Sequence, residues 1–382
     1  MGVDMDTDTE ARPDSPRAGG TGGDDLFGLI RTLTELPGPT GHEDAVQDWV
    51  ADRWSALGDV RRTNVGNVLV RVGGRGPRLV LAAHADEICL VIKSVSDEGH
   101  CFVWPYYADR LGAPPRWFMP AGQPALVITG TGTVPAIIAT ASGHVVGGQG
   151  SRKERLEWND LFVDLGVESR AEVEALGIHA GCRVIWNPPT RRLGPHRITG
   201  KAMDDRVALA IATLVGERLA GRDDVTHEVW LASTVQEEHG LIGASSLADE
   251  ERFDRCIAID VGLTGDIPDP DRRDFPGRLG AGPMLVHQDS SAHYGGRFIR
   301  ELVATAGRAG IPVQQAIFQN YGSDGAEAIR RGMETALLTY PTRYTHSAIE
   351  TVDERDVRAC VELLVAFLTG NAAGSQVRLP AI

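Results

Sequence analysis

Leu26, Phe27, Ile30 and Leu33 recur at helical spacing, and Pro37-Gly38-Pro39 ends that run. Thr40 and Glu43 have the spacing of a capping box. Val46, Trp49, Val50, Trp54 and Leu57 then form a second helical stripe. Apolar runs at 68–72 and 79–83 predict strands, the second apolar enough to be central in a sheet. From about Cys89 to Pro195 the pattern changes to short β-like runs at 90–92, 125–128, 135–138 and 183–186, separated by turn residues. Only 168–176 has helical periodicity there. The change predicts a small β domain inserted into an α/β domain. From Lys201 the α/β alternation resumes. Helices are expected over 204–219, 297–308, 324–331 and 354–368, and strands over 228–235, 257–259, 313–318 and 336–338.

These elements divide the 382 residues into a polar tail, 1–23, an α/β unit of 24–88 with 196–382, and an inserted β domain, 89–195. The tail is rich in Asp, Gly and Pro and is expected to be disordered. The net charge of −14 argues against general affinity for nucleic acid or anionic membrane. No apolar stretch is long and charge-free enough to span a bilayer. The five cysteines are scattered and form no Cys-x-x-Cys pair, a usage that fits a reducing cytoplasm.

Separated segments each deliver a ligand-type side chain near a predicted strand end or helix start: His84, Asp204, Glu238, Asp260 and His346. Imidazole and carboxylate together suit Zn²⁺ or a related divalent ion. They are too many for one tetrahedral ion with an open position, and suit two ions sharing a bridging carboxylate around an activated water. An α/β sheet binds ligands outside the carboxyl ends of its strands, which would gather these residues into one crevice. Each signal has a plainer reading alone. His84 with Asp86 could be a satisfied strand end, and Asp204 with Asp205 could cap a helix. Glu237 with Glu238 could be a solvated acidic turn. In the functional reading Asp86 fixes the His84 tautomer, Asp204 bridges the ions, Glu238 binds metal and Glu237 is the general base. Ser323 and Asp324 are candidates for substrate contact, or else a helix-starting turn. The ligand types accept Zn²⁺, Co²⁺ or Mn²⁺ alike.

With 83–87, 163–166, 200–206, 234–238, Asp260 followed by 265–268, and 341–347, the chain resembles the glutamyl-aminopeptidase/tetrahedral-aminopeptidase family of dinuclear metallopeptidases. The resemblance runs from Pro37 to Asp356. It implies a mixed sheet sandwiched by helices, with an inserted small β-barrel or PDZ-like domain used in subunit assembly. It implies His84 and Asp260 on different ions, Asp204 bridging, Glu238 and His346 completing the set, Glu237 as base and Asp86 orienting His84. It further implies a homo-oligomer, built from dimers or as a dodecamer, that removes N-terminal residues from short peptides. Cys89, the stretch 104–112 and the stretch 139–144 depart from the family pattern. They leave room for an amidase or deacylase of a specialised metabolite using the same ions. A non-catalytic assembly homologue is the remaining alternative.

Overall fold

The structure is a computed structural model that describes residues 25–105, 121–141, 157–268 and 270–370. The expected tail at 1–23 lies outside the described residues, as do 106–112 and 142–144 of the departing stretches.

Helices α1 (Leu26–Glu35) and α2 (Asp44–Trp54) lead into strands β1 (Val60–Arg62), β2 (Val68–Gly73) and β3 (Arg78–His84). The chain next forms β4 (Leu90–Val95), β5 (Cys101–Pro105), β6 (Pro124–Thr129), β7 (Gly132–Thr140), β8 (Leu161–Asp164), α3 (Arg170–Ala175) and β9 (Arg183–Trp186). It returns through β10 (Arg191–Leu193) and β11 (Arg197–Gly200) to α4 (Met203–Leu219), β12 (Glu228–Thr234), α5 (Ile242–Glu250) and β13 (Arg255–Leu263). The last part holds β14 (Met284–Gln288), α6 (Gly296–Ala309), β15 (Gln314–Ile317), α7 (Gly325–Arg330), β16 (Glu334–Arg343), β17 (Glu350–Asp353) and α8 (Glu354–Leu368).

Local chemistry explains several boundaries. Asp25 caps α1 by accepting the Gly28 N–H at 2.8 Å, and Asp353 caps α8 by accepting that of Arg355 at 3.0 Å. Gly310 closes α6 at φ 68°, a left-handed conformation that suits a residue without a Cβ.

Eleven strands form a mixed sheet whose main path runs β1-β2-β12-β3-β13-β16-β17-β11-β10, with β14 and β15 branching from β16. At its centre β12, β3, β13 and β16 are parallel. Their near-continuous apolar sequences follow from burial on both faces. One large core joins α1, α2, α4, α6 and α8 to the sheet, including Trp54, Leu79, Leu81, Ile211, Phe298, Leu337 and Leu364. Fully burying each such aliphatic side chain stabilises by about 1.5–3 kcal/mol.

β4 to β9 close a six-stranded barrel in the order β4-β5-β8-β7-β6-β9, with its own core around Leu90, Val103, Val127, Val163 and Val184. A mixed sheet with flanking helices and a closed barrel is the fold that the resemblance implied. The expected capping box does not form. Glu43 rather than Thr40 stands at the N-cap of α2, without a side-chain cap bond. Its carboxylate accepts the N–H groups of Gly41 and, across the fold, Gln236.

No described helix is long and apolar enough to cross a membrane.

Candidate metal centre

The parallel strands bring the ligand-type residues to one edge of the sheet. His84 ends β3, where its Cα pairs with that of Thr234 at the end of β12. Glu237 and Glu238 open the short 3-10 turn that follows β12. Asp260 lies inside β13 rather than at its end, because β13 stays paired with β16 as far as Leu263. β3 leaves β13 after the Ala82–Ala258 pair, which opens the β3 side of Asp260 toward the other ligands. His346 follows β16 in a short loop. Asp204 and Asp205 stand at the start of α4 with non-helical backbone angles.

Three turns that carry these residues contain left-handed non-glycine backbone: Ala202 (φ 50°), Gln236 (φ 53°) and His346 (φ 59°). Such conformations cost of order 1–3 kcal/mol each and persist where surrounding contacts over-determine them.

Asp204 is at the centre. Its Oδ1 lies 3.0 Å from His84 Nε2, and its Oδ2 lies 3.4 Å from His346 Nε2. His346 Nε2 is also 3.2 Å from Glu238 Oε1. Glu237 Oε2 approaches His84 Nε2 at 4.0 Å. The ligand atoms fall into overlapping sets, each within 4.8 Å: His84, Asp204, Asp205 and Asp260; Asp204, Glu238 and His346; and His84, Glu237 and Glu238. Asp205 is committed elsewhere. Its Oδ2 accepts the His84 N–H at 3.1 Å and its Oδ1 accepts from the Tyr340 hydroxyl at 2.6 Å. Without it, two sets share Asp204, and the third takes His84 from one and Glu238 from the other and adds Glu237. The grouping differs from the partition the resemblance implied, since His84 and Asp260 fall in one set and Glu238 and His346 in the other. Asp260 shares that set because β13 lies directly beside β3.

The carboxylate of Asp86 is fully buried, with Oδ1 3.4 Å from His84 Nδ1. That separation suits an ion pair and is long for a hydrogen bond. The same carboxylate accepts the backbone N–H groups of Glu237 at 2.9 Å and Glu238 at 3.2 Å. Burial opposes the Asp86 charge, but His84 and the Glu237 N–H outweigh it and hold the carboxyl below its usual range.

Burial pushes the Glu237 carboxyl well above the usual carboxylate range, with Asp260 and Glu238 adding to the shift against the pull of His84. Burial and the neighbouring Asp204 raise Asp260 in the same way. Burial works against the charge on both imidazoles, yet the surrounding carboxylates keep His84 and His346 well above their ordinary value. So many buried carboxyls need positive charge, which here means protons on rings and acids. A divalent cation would balance the same charge while the two imidazoles act as neutral donors, so the donor set fits a divalent metal.

Ser323 and Asp324, the candidates for substrate contact, are both buried. Ser323 is fully buried, its hydroxyl 3.1 Å from the Tyr294 hydroxyl and accepting the Gly325 N–H. Asp324 is buried and accepts from the Thr234 hydroxyl. The turn that carries them starts α7, as the plainer reading expects. Two buried carboxylates escaped the sequence reading. Glu43 binds the Gln236 N–H at 3.1 Å, and Glu350 binds backbone N–H groups of Asp204 and His346. The only sequence signal was the closeness of Glu350 to His346.

A small cavity beside Asp204, Glu238 and His346 is lined further by Ile88, Trp186 and Ser347. It runs between the sheet edge and the barrel.

The sequence profile of the family described as M42 glutamyl aminopeptidase matches residues 66–363. The lysyl aminopeptidase of Pyrococcus furiosus is 28% identical over 345 residues, covering 89% of this chain and 96% of its own. Among solved structures, aminopeptidase APDkam598 from the archaeon Desulfurococcus kamchatkensis superposes with a TM-score of 0.83 at 30% identity, covering 92% of this chain and 99% of its own. The TET1 peptidase of Pyrococcus horikoshii, described as assembling into a tetrahedron or a large octahedral shell, gives 0.79 at 26% identity, covering 90% and 99%.

Proposed function

The chain belongs to the M42 glutamyl aminopeptidase family and is a peptide hydrolase of the aminopeptidase type; from that premise we propose how its residues divide the work. His84, Asp204 and Asp260 hold one divalent cation, and Asp204, Glu238 and His346 hold a second. The observation that carries this reading is Asp204, whose two oxygens face the two histidines separately. Zn²⁺, Co²⁺ and Mn²⁺ all suit the donors. Bound there, the cations would polarise the scissile carbonyl and lower the pKa of a water toward about 7.

Glu237 is the general base. It takes a proton from the attacking water and returns it to the leaving amine nitrogen. Its carboxylate lies 4.0 Å from His84 Nε2, beside the ligands yet outside both sets joined by Asp204, which supports that role. Asp86 faces the distal nitrogen of His84 and selects the tautomer that leaves Nε2 free to bind metal. Through Glu237 and Glu238 N–H it also ties the base to the ligand strand.

The substrates are short peptides with a free N-terminus. We assign 24–88 and 196–382 to the catalytic unit and 89–195 to an assembly insert, which the separate core of the β4–β9 barrel supports. A homo-oligomer is the working state, by analogy with the shells of TET1. Five buried cysteines without disulfides support a cytoplasmic setting.

The reading is tested with metal-stripped protein refilled with Zn²⁺, Co²⁺ or Mn²⁺ and assayed on a panel of aminoacyl chromogenic substrates. Metal-dependent release of the N-terminal residue is expected. Two bound ions with turnover only on a non-aminoacyl amide would overturn the substrate assignment.

A further inference from the structure

We propose that Glu350 is a positioning residue for the second ligand set, fixing Asp204 and His346 through their backbone. The proposal rests on the two-cation reading above and adds a residue that this reading does not use.

β17 starts at Glu350 and lies between β16 and β11. β16 runs on into the loop carrying His346, and β11 runs on through 201–203 to Asp204. Glu350 pairs with Gly200, the last residue of β11, and its neighbour Thr351 pairs with Arg343, the last of β16. It therefore stands where the two ligand-bearing segments leave the sheet. The Thr199 hydroxyl fixes its backbone by donating to the Glu350 carbonyl at 2.9 Å.

The side chain is 2% exposed and reaches both segments. Oε1 accepts the His346 N–H at 2.9 Å, and Oε2 accepts the Asp204 N–H at 2.9 Å. Both recipients sit in backbone that ordinary ladders do not hold. His346 has φ 59°, and Asp204 departs from helical angles at φ −78° and ψ 104°. One carboxylate thus couples ligands that are far apart in the chain, with one acceptor oxygen for each. A glutamine could not replace it in full, because its amide offers one acceptor and would turn N–H toward N–H at the other. Asp86 does the equivalent for Glu237 and Glu238. The two clamps hold different ligands, so they are separable by experiment.

The test is Co²⁺ or Zn²⁺ binding to the metal-stripped full-length chain, measured by chelator competition for wild type, Glu350→Gln and Glu350→Asp. Denaturant unfolding of the metal-free proteins is followed in parallel. Wild type is expected to bind two ions. Glu350→Gln should bind both ions more weakly but unequally: the ion of Asp204, Glu238 and His346 by about 10–100-fold, the usual cost of losing a residue that orients ligands, and the other, which shares only Asp204 with it, by clearly less. Glu350→Asp keeps the carboxyl but is one methylene shorter. It should fall between them, and it carries the test if the glutamine variant does not fold. Two ions bound by Glu350→Gln at wild-type affinity would overturn the proposal alone. So would equal weakening of both ions together with a less stable metal-free fold, which marks a merely structural role. Failure of wild type to bind two ions would overturn the two-cation reading and this proposal with it.

Discussion

The backbone N–H of Glu237 donates to Oδ1 of Asp86 at 2.9 Å, so the residue assigned as base is held by the residue that faces the His84 ring. The relationship makes Asp86 a double support. Asp86→Asn should weaken both, since an amide offers one acceptor where the carboxylate offers two. The expected outcome is a 10–100-fold loss of kcat with an unchanged unfolding midpoint for the metal-free protein. Steady-state kinetics beside denaturant unfolding would check it. Wild-type kcat in the variant would remove Asp86 from the mechanism.

Glu237→Gln keeps shape and removes the proton acceptor. Turnover should fall by about 10²–10⁴-fold, the range typical of a general base. Metal content should stay at the wild-type value, because the two ligand sets joined by Asp204 do not need Glu237. Elemental analysis of the purified variant separates a lost base from a lost ligand.

Cation removal should also appear in stability. An ion that binds only the folded chain stabilises it by about 2.7 kcal/mol at one hundred times its Kd. Chelator should lower the melting temperature, and refilling should restore it in a concentration-dependent way. A melting temperature indifferent to chelator and to added ion would count against a metal at this site.

Arg206 is fully buried and donates from Nε to the Ala85 carbonyl at 2.7 Å. Its Nη1 donates to Leu33 at 2.8 Å and Leu36 at 3.1 Å, and its Nη2 to Gly38 at 3.2 Å. It lies 3.4 Å from Glu87 as well. Arg206→Met would leave these carbonyls and part of the Glu87 charge unanswered. A loss of about 3–5 kcal/mol is expected, as for other buried pairs broken from one side. Urea unfolding gives the number directly, and a loss under 1 kcal/mol would contradict the assignment.

Asp356 gives a pH signature away from the ligands. Burial is the main cause that pushes its carboxyl up from 3.8 to about 7, against the N–H groups of Gly280 and Gly282 that favour its charge. A carboxyl whose folded pKa is raised contributes stability that is fully present below the unfolded pKa. That contribution is lost as pH rises through the folded value. The window is therefore about pH 4 to 7, and the full effect is of the order of 4 kcal/mol at most. Asp356→Asn does not titrate. Its stability relative to wild type should improve steadily across that window, and a flat difference would show that Asp356 stays ionised.

Much of the site could be read from the sequence because strand ends announce themselves. The apolar run before His84 and the one leading to Asp260 marked the parallel strands, and one rule about their carboxyl ends placed both ligands in a crevice. The rest depended on side-chain direction. Asp204 and Asp205 are adjacent and alike in sequence. Only the structure turns Asp205 inward to Tyr340 and the His84 N–H. β17 escaped because Glu-Thr-Val-Asp is polar for a strand, although all four residues are buried. β14 and α5 were missed as well, and their surroundings rather than their periodicity define them. The turn of Ser323 and Asp324 starts a helix, one of the two readings the sequence offers, and its burial is set by Thr234 and Tyr294 beside it.

The barrel joins the rest of the molecule through two short stretches of chain. His84 ends β3 and Leu90 begins β4, while on the return β9 ends at Trp186 and β10 of the large sheet begins at Arg191. Lys201 Nζ binds both oxygens of Glu87, at 2.8 and 2.9 Å, so the outgoing passage is fastened to the segment that leads from β11 into α4. A one-residue slip in either would turn alternate side chains to the wrong face. A change of length in the hairpin between β6 and β7 would leave both passages in place. A change of length in the passage through Glu87 would instead pull its carboxylate away from Lys201, next to the turn that carries Asp204.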